Sequence, residues 1–275
     1  MNQIQTQPRW KAEIELVFEN GARTVLTRRR HVGPLRVQKP FYPEDDVCHL
    51  YLLHPPGGMT GHDDLSIDIR VAEQACALVT TPAANKAYRS LGDTTAIKQH
   101  FAVAGDLEWL PQGMILFGGS RVHQRTEFHL APSARLLAWD IIALGRPASA
   151  DTYASGHFRQ GLKVMREGQP LFSDLLAWQD DRDILAQDWG LGGAKALGLL
   201  LAHPADQDLV SRCRTIATEV APELRLGVTC VDGLLVVRAL GSDATLLQNR
   251  FAALWQRLRP ITMQRVAEMP RIWAT

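Results

Sequence analysis

"KAEIELVFENGARTVLT", residues 11–27, decides the first question this chain poses. Ala12, Ile14, Leu16 and Phe18 alternate with Lys11, Glu13 and Glu15. Successive strand side chains point to opposite faces, so a period of two predicts a half-buried β-strand. Asn20-Gly21 follows, the pair that most favours a hairpin reversal, and "RTVLT" runs back. Working outward, "HLYLL", "LSIDIRV", "CALVTT", "TAIKQHFAVA", "DLEWL", "MILFGG", "TEFHLA" and "RLLAWDIIAL" continue the series, punctuated by Gly, Pro, Asn and Asp. Many short strands at close spacing predict an all-β body that is layered, barrel-like or solenoidal. No repeat of fixed period selects the solenoid.

The last third changes character. Between Asp206 and Val220 the apolar residues Leu209, Val210, Cys213, Ile216, Ala217 and Val220 follow a 3.6 period, and Pro222 stands just beyond. That pattern predicts an amphipathic helix. "LRLGVTCVDGLLVVRAL" reads as a hairpin around Asp232-Gly233. A second helix is predicted from about Asp243 to Leu258, with Leu246, Leu247, Phe251, Leu254, Trp255 and Leu258 on one face, Ser242 as N-cap and Pro260 past its end. The expectation is one continuous unit over residues 1–275, mostly β to about residue 200, with two helices and a hairpin in about 201–275.

Composition narrows the function. The 275 residues are 46% apolar and 21% charged, with a formal charge of +1. A nucleic-acid binder would carry a net basic face. The run Arg28-Arg29-Arg30-His31 stands alone and reads as a solvated strand end. No stretch approaches the roughly 20 apolar residues that span a bilayer, and "MNQIQTQPRW" lacks the pattern of a signal peptide. Cys48, Cys76, Cys213 and Cys230 form no CxxC pair, which argues against structural zinc and against a disulfide scaffold. Reduced thiols in a cytoplasmic protein are expected.

The densest chemistry lies in "LHPPGGMTGHDDL", residues 53–65. It has no Lys-Ser/Thr after its glycines and so is no P-loop. In "WGLGGAK", Lys195 stands where a dinucleotide fingerprint wants its third glycine. "GGSR" around Ser120 is not a nucleophile elbow. His54, His62, Asp63 and Asp64 lie close in sequence, with Cys48 and His49 just before. Imidazole with carboxylate suits Ni, Zn or Fe. The same stretch is also turn chemistry, in which Asp63 accepts hydrogen bonds from nearby amides. Glu108 in "DLEWLPQ" faces away from Leu107 and Trp109, toward solvent or toward an enclosed polar channel. Lys86, Tyr88 and Arg89 in "TTPAANKAYRS" read either as a partner surface or as a loop with Tyr88 packed inward. Ile272 and Trp273 in the closing "PRIWAT" need burial on the body or on a partner.

Several of these motifs recur together. "HVGPLRVQKPFYPEDDVCHLYLLHPPGGMTGHDDL", "TTPAANKAYRS", "LEWLPQ", "LRP" and "PRIWAT" stand in the order and spacing of the UreD (UreH) family of urease accessory proteins, and the resemblance runs from about Trp10 to Thr275. It implies a mainly β fold with a β-helix-like layered body and a C-terminal α/β segment containing two helices. It implies a maturation factor without enzymatic activity, acting as scaffold and nickel conduit. The implied partners are UreF, UreG through UreF, and the urease apoprotein, with no nucleic acid and no membrane. No tightly bound cofactor is implied, only transient Ni²⁺. By the match, Asp63 falls on the glycine-glycine-aspartate turn, Glu44 follows "FYP" and Glu108 lies in "LEWLPQ". With Cys48, His54 and His62 they are the candidates for lining the metal's route, since exchangeable carboxylates and imidazoles let an ion leave again.

Two departures from the family pattern stand out. His62 occupies a position usually held by glycine, and histidine is among the side chains that tolerate φ > 0. Gly113 follows "LPQ" where an acidic residue is common, removing one expected carboxylate. Two other functions fit the residues: a metal-dependent hydrolase built on His54, His62, Asp63 and Asp64, and a pure protein scaffold that carries no metal.

Overall fold

The computed structural model describes residues 10–146, 149–180 and 182–274; the reading of the first residues as free of a signal sequence lies outside these. β1 (Trp10–Glu19) and β2 (Val25–Val32) form the expected hairpin. Next come β3 (Arg36–Val37), β4 (Cys48–Leu53), β5 (Asp63–Val71), β6 (Cys76–Thr80), β7 (Asn85–Ala87), β8 (Thr95–Val103), β9 (Asp106–Leu110) and β10 (Met114–Leu116). β11 (Arg121–Leu130), β12 (Arg135–Leu144), β13 (His157–Arg166) and β14 (Gln169–Gln179) follow, then α1 (Arg182–Ala186) and β15 (Ala196–His203). α2 (Gln207–Val220), β16 (Arg225–Val231), β17 (Leu234–Gly241) and α3 (Ala244–Thr262) lead to a 3-10 turn at Arg271–Ala274.

The strands build a seven-stranded sheet, ordered β14-β13-β11-β8-β5-β1-β2, and a ten-stranded sheet whose main path is β16-β17-β15-β12-β9-β6-β4-β3. From β4 to β13 the chain alternates between them. β4, β6, β9 and β12 are parallel neighbours in the larger sheet, and β5, β8, β11 and β13 in the smaller. This course is compatible with a β-helix-like body. The coils are uneven: β5, β8, β11 and β13 begin at residues 63, 95, 121 and 157, which is why the sequence shows no period.

Burial explains the two kinds of strand in the sequence. β4 and β6 are buried at almost every position, because the ten-stranded sheet is covered on both faces. Strands buried on both faces read as continuous apolar runs. One face packs against the seven-stranded sheet around Phe101, Phe128 and Trp109. The other packs under α2 and α3 around Trp139, Phe251 and Trp255. β5 and β11 instead alternate buried with exposed positions, because the outer face of their sheet is open. No helix among the described residues is long and apolar enough to cross a membrane.

Two local readings need correction. The N-cap of α3 is Asp243, not Ser242: the Asp243 carboxylate accepts from the Leu246 amide at 2.8 Å, and its backbone is extended as a cap requires. Pro260 lies inside α3, not past it. The proline removes only the bond to the Gln256 carbonyl, and both residues are on the exposed face, so buried Arg259 and Thr262 can hold the last turn. The Arg28–His31 run forms the solvated end of β2, as expected, on an exposed edge strand where charge discourages further pairing.

Candidate functional site

Along the helix-covered face of the larger sheet, His49 of β4, Leu78 of β6, Glu108 of β9 and Leu137 of β12 sit in one register row. Glu108 is therefore buried, not solvent-facing. Trp255 and Arg259 reach it from successive turns of α3. The Trp255 indole donates to Glu108 at 2.6 Å, and the Arg259 guanidinium donates to both its oxygens at 2.9 and 3.0 Å. Arg259 also grips Glu44 at 2.6 and 2.9 Å, and Glu44 meets His49 Nε2 at 2.6 Å. Arg259 has no exposed side-chain surface. Burial works against the ionised Glu44, yet the hydrogen bonds from His49 and Arg259 win and hold its carboxyl below the usual range. Burial likewise opposes the Arg259 charge and is overcome by the two carboxylates, which raise its affinity for the proton. Glu44 and Glu108, far apart in sequence, thus form one clamp that ties α3 to the sheet.

A second polar set lies between the two sheets. Asp140 points from β12 into that layer, where Gln124 of β11 and Gln160 of β13 donate to its Oδ2 at 2.7 and 2.5 Å. Burial pushes its carboxyl up to about 6 against the two amide donors. Asp140 lines three cavities. One of about 40 Å³ runs past His54, Met59, Gly113 and Gln99. One of about 10 Å³, beside Thr126 and Trp109, has room for a single water. The third, about 510 Å³, reaches the edge where β14 faces β16 and β17, bordered by Asp174, Asp188, Arg225 and Arg238.

The remaining candidates disperse. Asp63 is the turn residue it resembled: its carboxylate accepts from the Thr60 amide at 2.7 Å. Asp64 faces the other way, 3.4 Å from Lys98. His62 adopts φ +75° and pairs with Asp93 at 2.6 Å. His54 borders the cavity; burial pushes its pKa down, opposed by nearby Asp63, and its Nδ1 makes no hydrogen bond within the protein. Cys48 is buried in the inter-sheet core with its thiol pushed up to about 11 by burial. The four residues of the hydrolase reading do not converge, and among the described residues no three His, Cys, Asp or Glu side chains form a metal cluster. Tyr88 is half-buried and packs edge-on against Phe117 at 4.9 Å, while its neighbours Lys86 and Arg89 are exposed. Trp273 docks on the body between Trp139 and Trp255, at 5.3 and 5.5 Å, and donates to Thr80 at 2.9 Å.

Sequence reasoning passed over Arg259, Asp140, Gln124 and Gln160. The signals were present. Arg259 follows Trp255 by four on the apolar stripe of a helix, and Asp140 interrupts the apolar strand "RLLAWDIIAL". A charge in such a place must be paired or must face a polar cavity.

Two β layers with cavities between them around Asp140, and a helical flank locked on by a buried ion-pair clamp, define a class of β proteins with helices on one side of a doubly covered sheet. Comparison with known proteins identifies the lineage. The family model described as UreD urease accessory protein matches residues 11–274. The urease accessory protein UreD of Citrobacter koseri is 44% identical over 272 residues, covering 97% of this chain and 92% of that protein. The UreD proteins of Alkalilimnicola ehrlichii and Klebsiella aerogenes are 43% and 40% identical, covering 98% and 97% of this chain and 92% and 97% of their own lengths. The chain belongs to the UreD urease accessory protein family.

Proposed function

We propose that this chain acts in urease maturation as a scaffold and a conduit for Ni²⁺, binding the urease apoprotein and UreF, with UreG reached through UreF. Family membership supports the maturation role. The observation that carries the conduit is Asp140, a lone carboxylate at the junction of three inter-sheet cavities, held only by neutral amide donors. His54 supports the same route, because a neutral imidazole with an uncommitted nitrogen is a weak, exchangeable ligand. A conduit needs contacts favourable enough to admit an ion and weak enough to release it. In this reading Asp63 fixes the turn beside His54, and Glu44 and Glu108 hold α3 in place, since their oxygens already serve Arg259. His62 and Cys48 stand outside the route, the one paired with Asp93 and the other a buried neutral thiol.

The test is urease activation in cells that carry the other accessory proteins, comparing the wild-type chain with Asp140→Asn and His54→Ala. Activation is expected to fall while each variant still co-purifies with its partners. Full activation by both variants at limiting nickel would leave only the scaffold.

A further inference from the structure

The outer face of the seven-stranded sheet offers a second, separate surface. β1, β5, β8, β11 and β13 form a continuous parallel run there. Parallel sheets are almost always covered on both faces, yet among the described residues no helix packs on this one: α2 and α3 lie on the larger sheet, and α1 packs against the core between the sheets. The part of it over β11, β13 and β14 has a definite shape. Arg125, Gly161 and Leu175 are register partners in one row across the three strands, and Arg159 and Lys163 flank Gly161 on β13, two residues to either side. The missing side chain leaves a notch of about 320 Å³, with His123 also on its wall. Leu175 beside it is 57% exposed.

The backbone does not need glycine at position 161. A Cβ built there meets nothing within 4 Å, and the residue is not in a left-handed conformation. The notch is an opening in the surface rather than a folding requirement. Its charges are also uncommitted. Neither Arg159 nor Lys163 makes an ion pair among the described residues, while the carboxylates nearby are engaged: Glu127 by Arg125 at 2.5 Å and Asp174 by Arg238 at 3.1 Å.

From these features we infer that this face docks an acidic protein surface that projects one aliphatic or aromatic side chain into the Gly161 notch between Leu175 and the cations. Carboxylates on the partner pair with Arg159 and Lys163, and its apolar side chain covers Leu175. A protein suits the notch better than a nucleic acid, because no Phe, Tyr or Trp lines it for base stacking. Charge sets the approach and the register, and the filled notch sets the lifetime.

The inference rests on the maturation reading for its choice of probes, which are purified urease apoprotein and purified UreF, each immobilised separately. The full chain is compared with R159E/K163E, with G161Y, and with the control R212E on the far, helical side. All these sites are solvent-facing strand or helix positions, and matching thermal melts establish that each variant folds. One probe should retain wild type and R212E and lose both other variants by about tenfold or more, with retention falling as salt rises. Wild-type retention by both G161Y and R159E/K163E overturns the docking surface and leaves the maturation role standing. Failure of both probes to retain even the wild-type chain overturns the maturation reading and the docking surface together. Equal competition by duplex DNA, lost in the same variants, assigns the face to polyanions in general and also overturns it.

Discussion

Asp140→Asn separates stability from function in a way that few substitutions in this fold would. Burial raises the Asp140 carboxyl from 3.8 to about 6. Each factor of ten in proton affinity corresponds to about 1.4 kcal/mol. At pH 7.5 the ionised Asp140 therefore costs the folded state at most about 3 kcal/mol, an upper value because cavity water screens part of the charge. The sign follows from the direction of the shift. The folded pKa lies above the unfolded one, so the group is neutral in both states at low pH, and stability is lost as the pH rises from about 4 through 6. Asparagine keeps the shape and still offers Oδ1 to the Gln124 and Gln160 amides, but it carries no charge.

The expected result is a variant more stable than wild type at pH 7.5 by about 1 kcal/mol or more, up to the bound of about 3 kcal/mol, with the difference shrinking toward zero near pH 4. Urea denaturation across that range, followed by tryptophan fluorescence, measures it. The same variant should be impaired in urease activation under limiting nickel. A gain in stability with a loss of function marks a residue kept for its charge rather than for the fold. An Asn variant no more stable than wild type at pH 7.5, or one whose advantage does not vary with pH, refutes the reasoning about burial.

Three further outcomes follow from the same coordinates. Arg259→Met leaves Glu44 and Glu108 buried without their counter-charge and should destabilise the chain by about 3–5 kcal/mol at neutral pH; the loss should lessen in acid as the two carboxyls protonate, and adding Glu108→Gln should recover part of it in a double-mutant cycle. Gly113→Asp places a Cβ 2.6 Å from the Ile141 carbonyl oxygen at φ +89°; it should lower thermal stability by about 1–3 kcal/mol, and an unchanged melting temperature would contradict the strain. Asp63→Ala removes the acceptor for the Thr60 amide and should cost about 1 kcal/mol, whereas Asp63→Asn should keep both stability and urease activation; loss of activation in a well-folded Asp63→Asn would make the carboxylate charge itself functional.

The strands and both long helices were legible because their faces differ in solvent. "KAEIELVFE" alternates since one side meets the core and the other meets water, and α2 shows its 3.6 period for the same reason. β13 and β14 were harder. "HFRQGLKVMR" places Gln160 between Phe158 and Leu162 on its inward face, which therefore lacks a clean apolar period. β15 was visible only as an apolar run, because both its faces are covered. Sheet topology left no periodic trace, the coils being unequal in length. The candidate site was half legible. Single positions such as Glu108 and Glu44 stood out, but their partner Arg259 lies 151 and 215 residues away, and a long-range ion pair has no local pattern. The turn at Asp63 was legible because its hydrogen bond is local.

The interior carboxylates divide by how completely they are satisfied, and the division bears on what each can do. Glu44 and Glu108 receive charged donors from Arg259 with little exposure to water. Taking such an oxygen for an incoming cation would leave a buried guanidinium unpaired, at a cost of several kcal/mol, so these residues suit a permanent joint. Asp140 receives only neutral amides and borders space large enough for water. An ion beside it would replace water and gain a charge interaction without breaking any ion pair. On the proposed conduit, the two cores of one fold keep their charges for opposite purposes. Under the helices, charge is neutralised so that α3 stays in place. Between the sheets, Asp140 has no ion-pair partner among the described residues, which is what the proposed conduit requires of a place where a cation stops and moves on.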